Sequence, residues 1–374
     1  MVDESDKLNR FEEAFQRGQK GQVSNYETWL QDKGIDPNKS SIEYLTKYFY
    51  ENPEKTVNHE EQLESTAEYL GFFSQRSNIY HLPIIGVSGI GKTQFLHTVQ
   101  HLLKQTEPEI TQKYLKADRF TDIEDEEEQI FEIRDELRDL EKVVIFIDNC
   151  EWKRIESLTE ALRVIDTVVD DALFLTSWTP EYWNHHREDV EDVVPASKEI
   201  HLTSFQEDET VDALEQIFRV VADDGLELPE ALLQKIHGYS SGIPRLFTLL
   251  ALETLRETFL KETEIGDAEA VDAAAEKMNL VGLEEEVYDL SETKLTILTH
   301  MVLWHDKSGI RPSQLVDLID RDKSTVSYHL KDLRSAGLVE SEKQGRSAYY
   351  QIKEPVKPFI QTRINQTSEY HGEL

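Results

Sequence analysis

The sequence predicts an α/β fold with a parallel sheet, then a helical segment, then a small domain of helices and a hairpin. Apolar strands alternate with segments of helical periodicity from His59 to Pro195, which is typical of a parallel sheet flanked by helices. Within that region an apolar run, Leu82 to Ile85, leads through a glycine-rich loop into the helix-forming stretch 94–103. After Ser291 the pattern changes to three helices followed by two short strands.

These patterns divide the 374 residues into five segments. We expect a helical N-terminal accessory region at 1–57, an α/β core at 58–205, a helical lid at 206–288, a winged helix at 289–354 and a C-terminal tail at 355–374.

The composition excludes several classes of protein. No apolar run approaches the ~20 residues of a membrane-spanning helix, and the acidic N-terminus has no signal-peptide core. Cys150 is the only cysteine, which excludes intrachain disulfides and cysteine-based zinc sites. We therefore expect a cytoplasmic protein that has no membrane partner.

The net charge of −34 is extreme. A disordered acidic chain is disfavoured, because 39% of the residues are hydrophobic and five are tryptophan. A strongly cationic partner would explain the charge. Our preferred interpretation is adaptation to a high-salt cytoplasm, as in a halophilic archaeon, since the screening length falls to ~3 Å at about 1 M salt.

The acidity stops before the C-terminal domain. From Ser291 onward there are 12 basic and 11 acidic residues, whereas residues 1–290 hold 28 basic and 63 acidic ones. A surface that meets DNA phosphates requires such a local loss of negative charge. A chance change of composition is the alternative.

The glycine-rich loop has the pattern G-x-x-x-x-G-K-S/T, in the residues Gly86, Val87, Ser88, Gly89, Ile90, Gly91, Lys92 and Thr93. Between a strand and a helix, such a loop turns its backbone N–H groups toward the phosphates of a nucleotide. Lys92 would reach the β- and γ-phosphates of ATP, and the Thr93 hydroxyl would bind Mg²⁺.

A second apolar strand, 143–147, ends in a carboxylate, Asp148, which would order the Mg²⁺ ion. ATPases of this type carry glutamate next, to orient the attacking water, but this chain has Asn149. An amide positions water but cannot accept its proton. Either hydrolysis is slow or Glu151 supplies the carboxylate, and the sequence leaves both open.

A third core strand ends in two hydroxyl residues, Thr176 and Ser177. Such residues can contact the γ-phosphate or the attacking water from the neighbouring strand. Polar residues that merely end a strand are an equally good interpretation.

The order of these motifs resembles that of an AAA+ ATPase, especially the origin-recognition and initiator branch with its archaeal relatives. In that resemblance 148–151 is the Walker B signature, Thr176 or Ser177 is sensor 1, and 200–205 is the entry into the lid. The Gly242-Ile243-Pro244-Arg245 stretch resembles sensor 2, which implies that Arg245 contacts the γ-phosphate.

The resemblance also implies a homo-oligomer with nucleotide at the subunit interface. Arg187 is the candidate for an arginine finger acting on a neighbouring subunit, with a surface ion pair as the alternative. The N-terminal 57 residues have no obvious counterpart in initiators, so we expect a docking role for a protein partner there.

The C-terminal pattern resembles the winged helix-turn-helix of small bacterial and archaeal repressors. Pro312 opens a helix, Asp322 or Ser324 can cap the next one, and Gly337 ends it. Double-stranded DNA is the expected partner. The residues expected to face it are Ser324, Thr325, Ser327, Tyr328 and Lys331 on the recognition helix and Lys343 and Arg346 on the wing. A winged helix used for protein contacts is the alternative.

The expectation is an ATP-binding AAA+ protein whose nucleotide state controls DNA binding, in a role like that of a replication initiator or in plasmid maintenance. The alternatives are a STAND-type signalling switch in transcription or defence, and a protein in which ATP is structural.

Overall fold

The computed structural model describes residues 25–57, 59–76, 78–116, 134–138, 140, 142–152, 155–222, 226–304, 309–319, 321–344 and 347–371. The strands are β1 (Tyr80–Ile85), β2 (Thr111–Lys116), β3 (Lys142–Asp148), β4 (Asp171–Trp178), β5 (Ile200–His201), β6 (Val339–Gln344) and β7 (Ser347–Ile352). The helices are α1 (Asn25–Asp32), α2 (Ile42–Glu51), α3 (Glu60–Gln75), α4 (Lys92–Thr106), α5 (Ile155–Val168), α6 (Pro180–Glu191), α7 (Glu207–Val221), α8 (Glu230–Ser240), α9 (Pro244–Lys261), α10 (Ala268–Lys277), α11 (Leu283–Tyr288), α12 (Glu292–Val302), α13 (Pro312–Ile319), α14 (Lys323–Ser335) and α15 (Lys357–His371).

The predicted parallel sheet is present. Its five strands lie in the order β2-β3-β4-β1-β5, and each neighbouring pair is parallel. The register pairs Ile147 with Thr176 and Ile84 with Ser177. The carboxyl ends of β1, β3 and β4 therefore meet at one edge, where ligands bind in open α/β sheets.

Both faces of this sheet are buried, which explains why its strands are continuous apolar runs. Alternate residues of β3 enter different cores: Ile145 and Ile147 join the cluster with α5 and α6, and Phe146 joins the cluster with α3 and α4. The second cluster also holds Ile90 of the glycine-rich loop. Ile90 therefore anchors the loop to this face of the sheet.

The chain forms two compact units. One comprises residues 57–205, 243–246 and 278–374, and the other comprises the described part of 1–56 together with 206–242 and 247–277. In the second unit the N-terminal helices join the lid helices: Tyr26 and Trp29 lie with their ring centroids 5.4 and 5.8 Å from Phe259. Ile35 forms an antiparallel bridge to Ala222.

The helices α12 to α14 and the hairpin β6–β7 form the predicted winged helix. Asp322 caps α14 by accepting hydrogen bonds from the N–H groups of Ser324 and Thr325 at 2.8 and 3.0 Å. One face of α14 buries Val326 and Leu330. The sequence also has a nearly continuous acidic run at 122–128, which lies outside the described residues. Among those described, no helix is long and apolar enough to cross a bilayer.

Candidate functional site

The glycine-rich loop connects β1 to α4 as a tight turn with left-handed backbone conformations. Gly89 and Gly91 have φ of +80° and +105°, which disfavour a residue with a side chain. A Cβ on Gly86 would lie 2.7 Å from Ile90 Cγ2. These glycines are required by backbone geometry, and the loop leaves the start of α4 at the edge of the sheet.

Lys92 is the first residue of α4, and its side chain is buried over the loop. Its Nζ donates to the carbonyl oxygen of Gly86 at 2.8 Å and lies 3.9 Å from Glu151 Oε1. The ammonium group therefore lies between the loop and the carboxylate that follows β3, where it can reach a bound anion.

Asp148 brings three elements together at the end of β3. It is fully buried, and it accepts hydrogen bonds from Thr93 Oγ1 at 2.9 Å and from Ser177 Oγ at 2.7 Å. The sequence predicts Thr93 and Asp148 as Mg²⁺ ligands, and the structure places their side-chain oxygens within hydrogen-bonding distance of each other. Hard oxygen donors of this kind suit Mg²⁺, which uses few protein ligands and keeps several waters.

Asn149 stands in the left-handed region, with φ of 60°. Its backbone N–H donates to Ser177 Oγ at 2.8 Å, and its Nδ2 donates to Asp148 Oδ2 at 3.1 Å. One N–H of the amide thus supports Asp148. Asparagine tolerates this backbone conformation better than most residues.

Glu151 lies in the short 3₁₀ turn after β3, and its Oε2 is buried without a hydrogen-bond partner among the described residues. Burial raises the pKa of this carboxyl, although the nearby Lys92 ammonium acts in the opposite direction. A carboxylate whose pKa is raised toward neutrality is a better proton acceptor than an ordinary one.

The two hydroxyl residues of β4 point to different surroundings. Ser177 reaches Asp148, as described above. Thr176 Oγ1 lies 2.8 Å from His81 Nε2 and accepts a hydrogen bond from Trp178 Nε1 at 2.6 Å. Successive residues of a strand face opposite sides, so only Ser177 is brought to the site.

The Arg245 segment contacts the loop directly. Its backbone N–H donates to the Gly89 carbonyl oxygen at 3.1 Å, and a Cβ on Gly89 would lie 2.9 Å from Arg245 Cβ. The side chain of Arg245 is exposed beside the loop. Arg187 instead forms ion pairs with Glu191 and Glu199, both at 3.0 Å.

Two residues next to the loop, Gln361 and Glu181, were not predicted from the sequence. Gln361 of α15 accepts a hydrogen bond from the Ser88 N–H at 2.7 Å, and Gln361 also donates to Glu181 of α6. The segment 355–374 was expected to be a tail, and the structure forms the helix α15 there, from Lys357 to His371. Apolar residues at helical spacing, Val356, Ile360 and Ile364, were the signal that could have revealed it.

The predicted DNA-facing residues lie on one side of α14 and on the wing. Tyr328 is 66% exposed, and Ser324, Lys331 and Lys343 are also exposed. Thr325 and Ser327 are half-buried. Ser324 and Thr325 also donate their hydroxyls to Asp322, so they serve the helix cap. Arg346 lies outside the described residues.

Comparison with known proteins agrees with this architecture. Residues 311–341 match the family model described as bacterial regulatory protein, arsR family. An uncharacterized HTH-type transcriptional regulator of Methanocaldococcus jannaschii is 22% identical over 175 residues, which are 46% of this chain and 42% of that protein. The chain thus matches less than half the length of this relative.

The structure is also similar to solved ones. The Aeropyrum pernix ORC1 protein, solved in complex with DNA, has a TM-score of 0.50 at 14% identity over 84% of this chain and 94% of that one. CDC6P from Pyrobaculum aerophilum has a TM-score of 0.49 at 17% identity over 89% of this chain and 99% of that one. The likeness to ORC1 confirms the predicted AAA+ fold, and the family match confirms the C-terminal helix-turn-helix domain.

Proposed function

We propose that the protein binds ATP with Mg²⁺ at residues 86–93 and that the nucleotide state controls how its winged helix binds double-stranded DNA. One observation carries the proposal: the Asp148 carboxylate is hydrogen-bonded to Thr93 and Ser177 at the mouth of a glycine-rich loop. A chance glycine loop would not be expected to meet an acidic partner at the end of a second strand of the sheet.

The residues divide the work as follows. The loop N–H groups and the start of α4 bind the phosphates, and Lys92 supplies a cation. Thr93 and Asp148 would hold Mg²⁺, which neutralises charge on the β- and γ-phosphate oxygens when bound. Arg245 lies beside Gly89 and would contact the γ-phosphate.

We assign hydrolysis to Glu151. The water oxygen would attack the γ-phosphorus and lose a proton to Glu151, the bond from that phosphorus to the β–γ bridging oxygen would break, and ADP and inorganic phosphate would be released. Asn149 cannot take that role because an amide does not accept a proton at neutral pH, and its Nδ2 already donates to Asp148. We expect slow turnover, and the variant Glu151→Gln should abolish it while ATP binding is retained. Unchanged turnover would contradict the assignment.

The cellular role that we propose is that of a replication initiator or plasmid-maintenance factor. The solved ORC1 protein of the same fold is in complex with DNA, which supports DNA as the partner here. A nucleotide present at about 1,000 times its dissociation constant contributes about 4 kcal/mol, enough to drive such a switch. We also propose that the protein forms homo-oligomers, that residues 1–57 bind a protein partner, and that the protein works in a high-salt cytoplasm.

A second candidate is a STAND-type nucleotide-dependent regulator of transcription. The arsR-family match and the transcriptional regulator among the relatives favour it. An initiator should bind a defined DNA repeat and recruit a helicase with ATP alone. A signalling switch should oligomerise only when a trigger engages residues 1–57.

DNA binding is tested with a duplex selected by the wild-type protein from a random library in high KCl. We expect the single variant Tyr328→Ala to weaken DNA binding about 10-fold. The double variant with Lys343→Ala and Arg346→Ala should weaken it by about the same factor. The control Lys47→Ala removes an exposed cation of α2 and should leave binding unchanged. Unchanged binding by both winged-helix variants would show that this surface is not the contact. Equal affinities with ATP and ADP would contradict nucleotide control.

A further inference from the structure

The C-terminal helix contributes a side chain to the phosphate loop. Gln361 of α15 is fully buried, and its Oε1 accepts a hydrogen bond of 2.7 Å from the backbone N–H of Ser88. Ser88 is the third residue of the glycine-rich loop. Backbone N–H groups of such a loop are the donors that bind phosphate oxygens. The Gln361 side chain therefore occupies one of the backbone N–H groups that could bind a phosphate oxygen.

The other end of the amide is fixed by a carboxylate. Gln361 Nε2 donates to Glu181 Oε1 at 2.7 Å, and Glu181 is only 6% exposed. The second oxygen of Glu181 is buried without a hydrogen-bond partner among the described residues. The N–H on one side and the carboxylate on the other determine the orientation of the amide, because a flipped amide would oppose both partners.

The same helix is joined to the winged helix. Residue 352 ends strand β7, and α15 begins at Lys357. Between them the Lys353 N–H donates to the Leu338 carbonyl oxygen at 3.1 Å. Further along α15, the Arg363 guanidinium lies 4.6 Å from the centroid of the Tyr288 ring. A displacement of α15 therefore has a covalent route to the DNA-binding domain, through residues 353–356, and a packed route to α11, the helix that precedes that domain.

We propose that Gln361 is a latch that the terminal phosphate of a nucleoside triphosphate opens. The phosphate takes the Ser88 N–H, and α15 is released from the loop, which changes how the winged helix is presented. This inference rests on the proposed nucleotide binding and adds the residue that couples it to the DNA-binding domain.

The chemistry favours this exchange. A hydrogen bond from the loop N–H to a charged phosphate oxygen is roughly twice as strong as one to a neutral amide. Opening also has a cost, since Glu181 loses the donor that satisfies one of its buried oxygens. A diphosphate lacks the terminal group, so the latch distinguishes ATP from ADP.

The first test needs no variant. Hydrogen exchange of the α15 amides is measured on the full chain in high KCl, without nucleotide, with ADP and with a non-hydrolysable ATP analogue. We expect faster exchange over residues 357–366 with the analogue only. Unchanged or slower exchange, with calorimetry showing that the analogue is bound, would overturn the latch.

The second test removes the amide while keeping its length. Gln361→Met should bind the ATP analogue about 5-fold tighter than the wild type, the factor that one ordinary hydrogen bond corresponds to. Its affinity for ADP should change much less, and its DNA affinity without nucleotide should approach that of the analogue-bound wild type. The control is Gln366→Met, on the exposed part of the same helix.

Failure of this inference can be told apart from failure of the proposed function. A wild type that takes up no nucleotide refutes both. A wild type that binds the analogue, with a Gln361→Met variant of equal or lower affinity, refutes only the latch. A lower melting temperature with an unchanged ratio of ATP to ADP affinity would show a purely structural role and also refute it.

Discussion

Acidification should weaken the centre of the sheet through His81, the second residue of β1, which lies away from the proposed site. Its ring is 1% exposed, with Nδ1 3.0 Å from the Val194 carbonyl oxygen and Nε2 2.8 Å from Thr176 Oγ1. Burial lowers its pKa from 6.5 to about 4. The folded protein therefore keeps this imidazole neutral over a pH range where the unfolded chain binds a proton.

The sign and size of the effect follow from that difference. A lowered pKa stabilises the fold above the unfolded value of 6.5, and this stabilisation is lost as the pH falls toward 4. Each pKa unit corresponds to about 1.4 kcal/mol, so the whole loss is about 3 kcal/mol.

The variant His81→Phe isolates the contribution of His81 protonation to the free energy of unfolding, because phenylalanine keeps a buried ring but does not titrate. At neutral pH it should be less stable by about 1–3 kcal/mol, since two hydrogen bonds are lost. Between pH 6.5 and 4 its stability should fall less steeply than that of the wild type. Urea unfolding followed by tryptophan fluorescence measures both. Parallel curves of stability against pH would refute the assignment of a neutral buried His81.

Three further outcomes are expected. Asp148→Asn should bind ATP without Mg²⁺ nearly as well as the wild type but lose the gain from Mg²⁺, as measured by calorimetry; a retained gain would contradict the metal assignment. Gly89→Ala should destabilise the α/β core by about 1–2 kcal/mol or more, since it forces a side chain into the left-handed region and against Arg245. The control Gly71→Ala lies mid-helix with nothing within 4 Å of its Cβ, so it should raise stability by about 0.5–1 kcal/mol; equal thermal shifts for the two would contradict the strain argument. Asp322→Ala should lower the melting temperature of the winged helix and weaken DNA binding, because the cap of α14 is removed; an unaltered melting temperature would show that the cap is dispensable.

Local signals predicted much of the fold. The strand β3, its terminal Asp148 and the loop after β1 follow from apolar runs and glycine spacing that hardly depend on distant contacts. The start of α14 follows from its cap, Asp322, which acts within three residues. Such features are encoded in short segments, so a sequence reveals them.

Long-range pairing was beyond the sequence. The packing of Tyr26 and Trp29 on Phe259 joins residues more than two hundred positions apart, and no local pattern indicates it. Thr176 and Ser177 could be separated only once the register of β4 was known. The contact of Gln361 with the loop was not predicted, because a single polar residue in an amphipathic helix has no distinctive pattern.

The central claim is that a triphosphate binds in the loop between β1 and α4. Calorimetric titration of ATP with Mg²⁺ in molar KCl tests it most directly, on the wild type and on Lys92→Ala. We predict saturable binding at one site per chain and a loss of affinity of at least about 10-fold in the variant, since a charge-assisted contact is removed. No heat of binding by the wild type, or equal affinities for the two proteins, would contradict it.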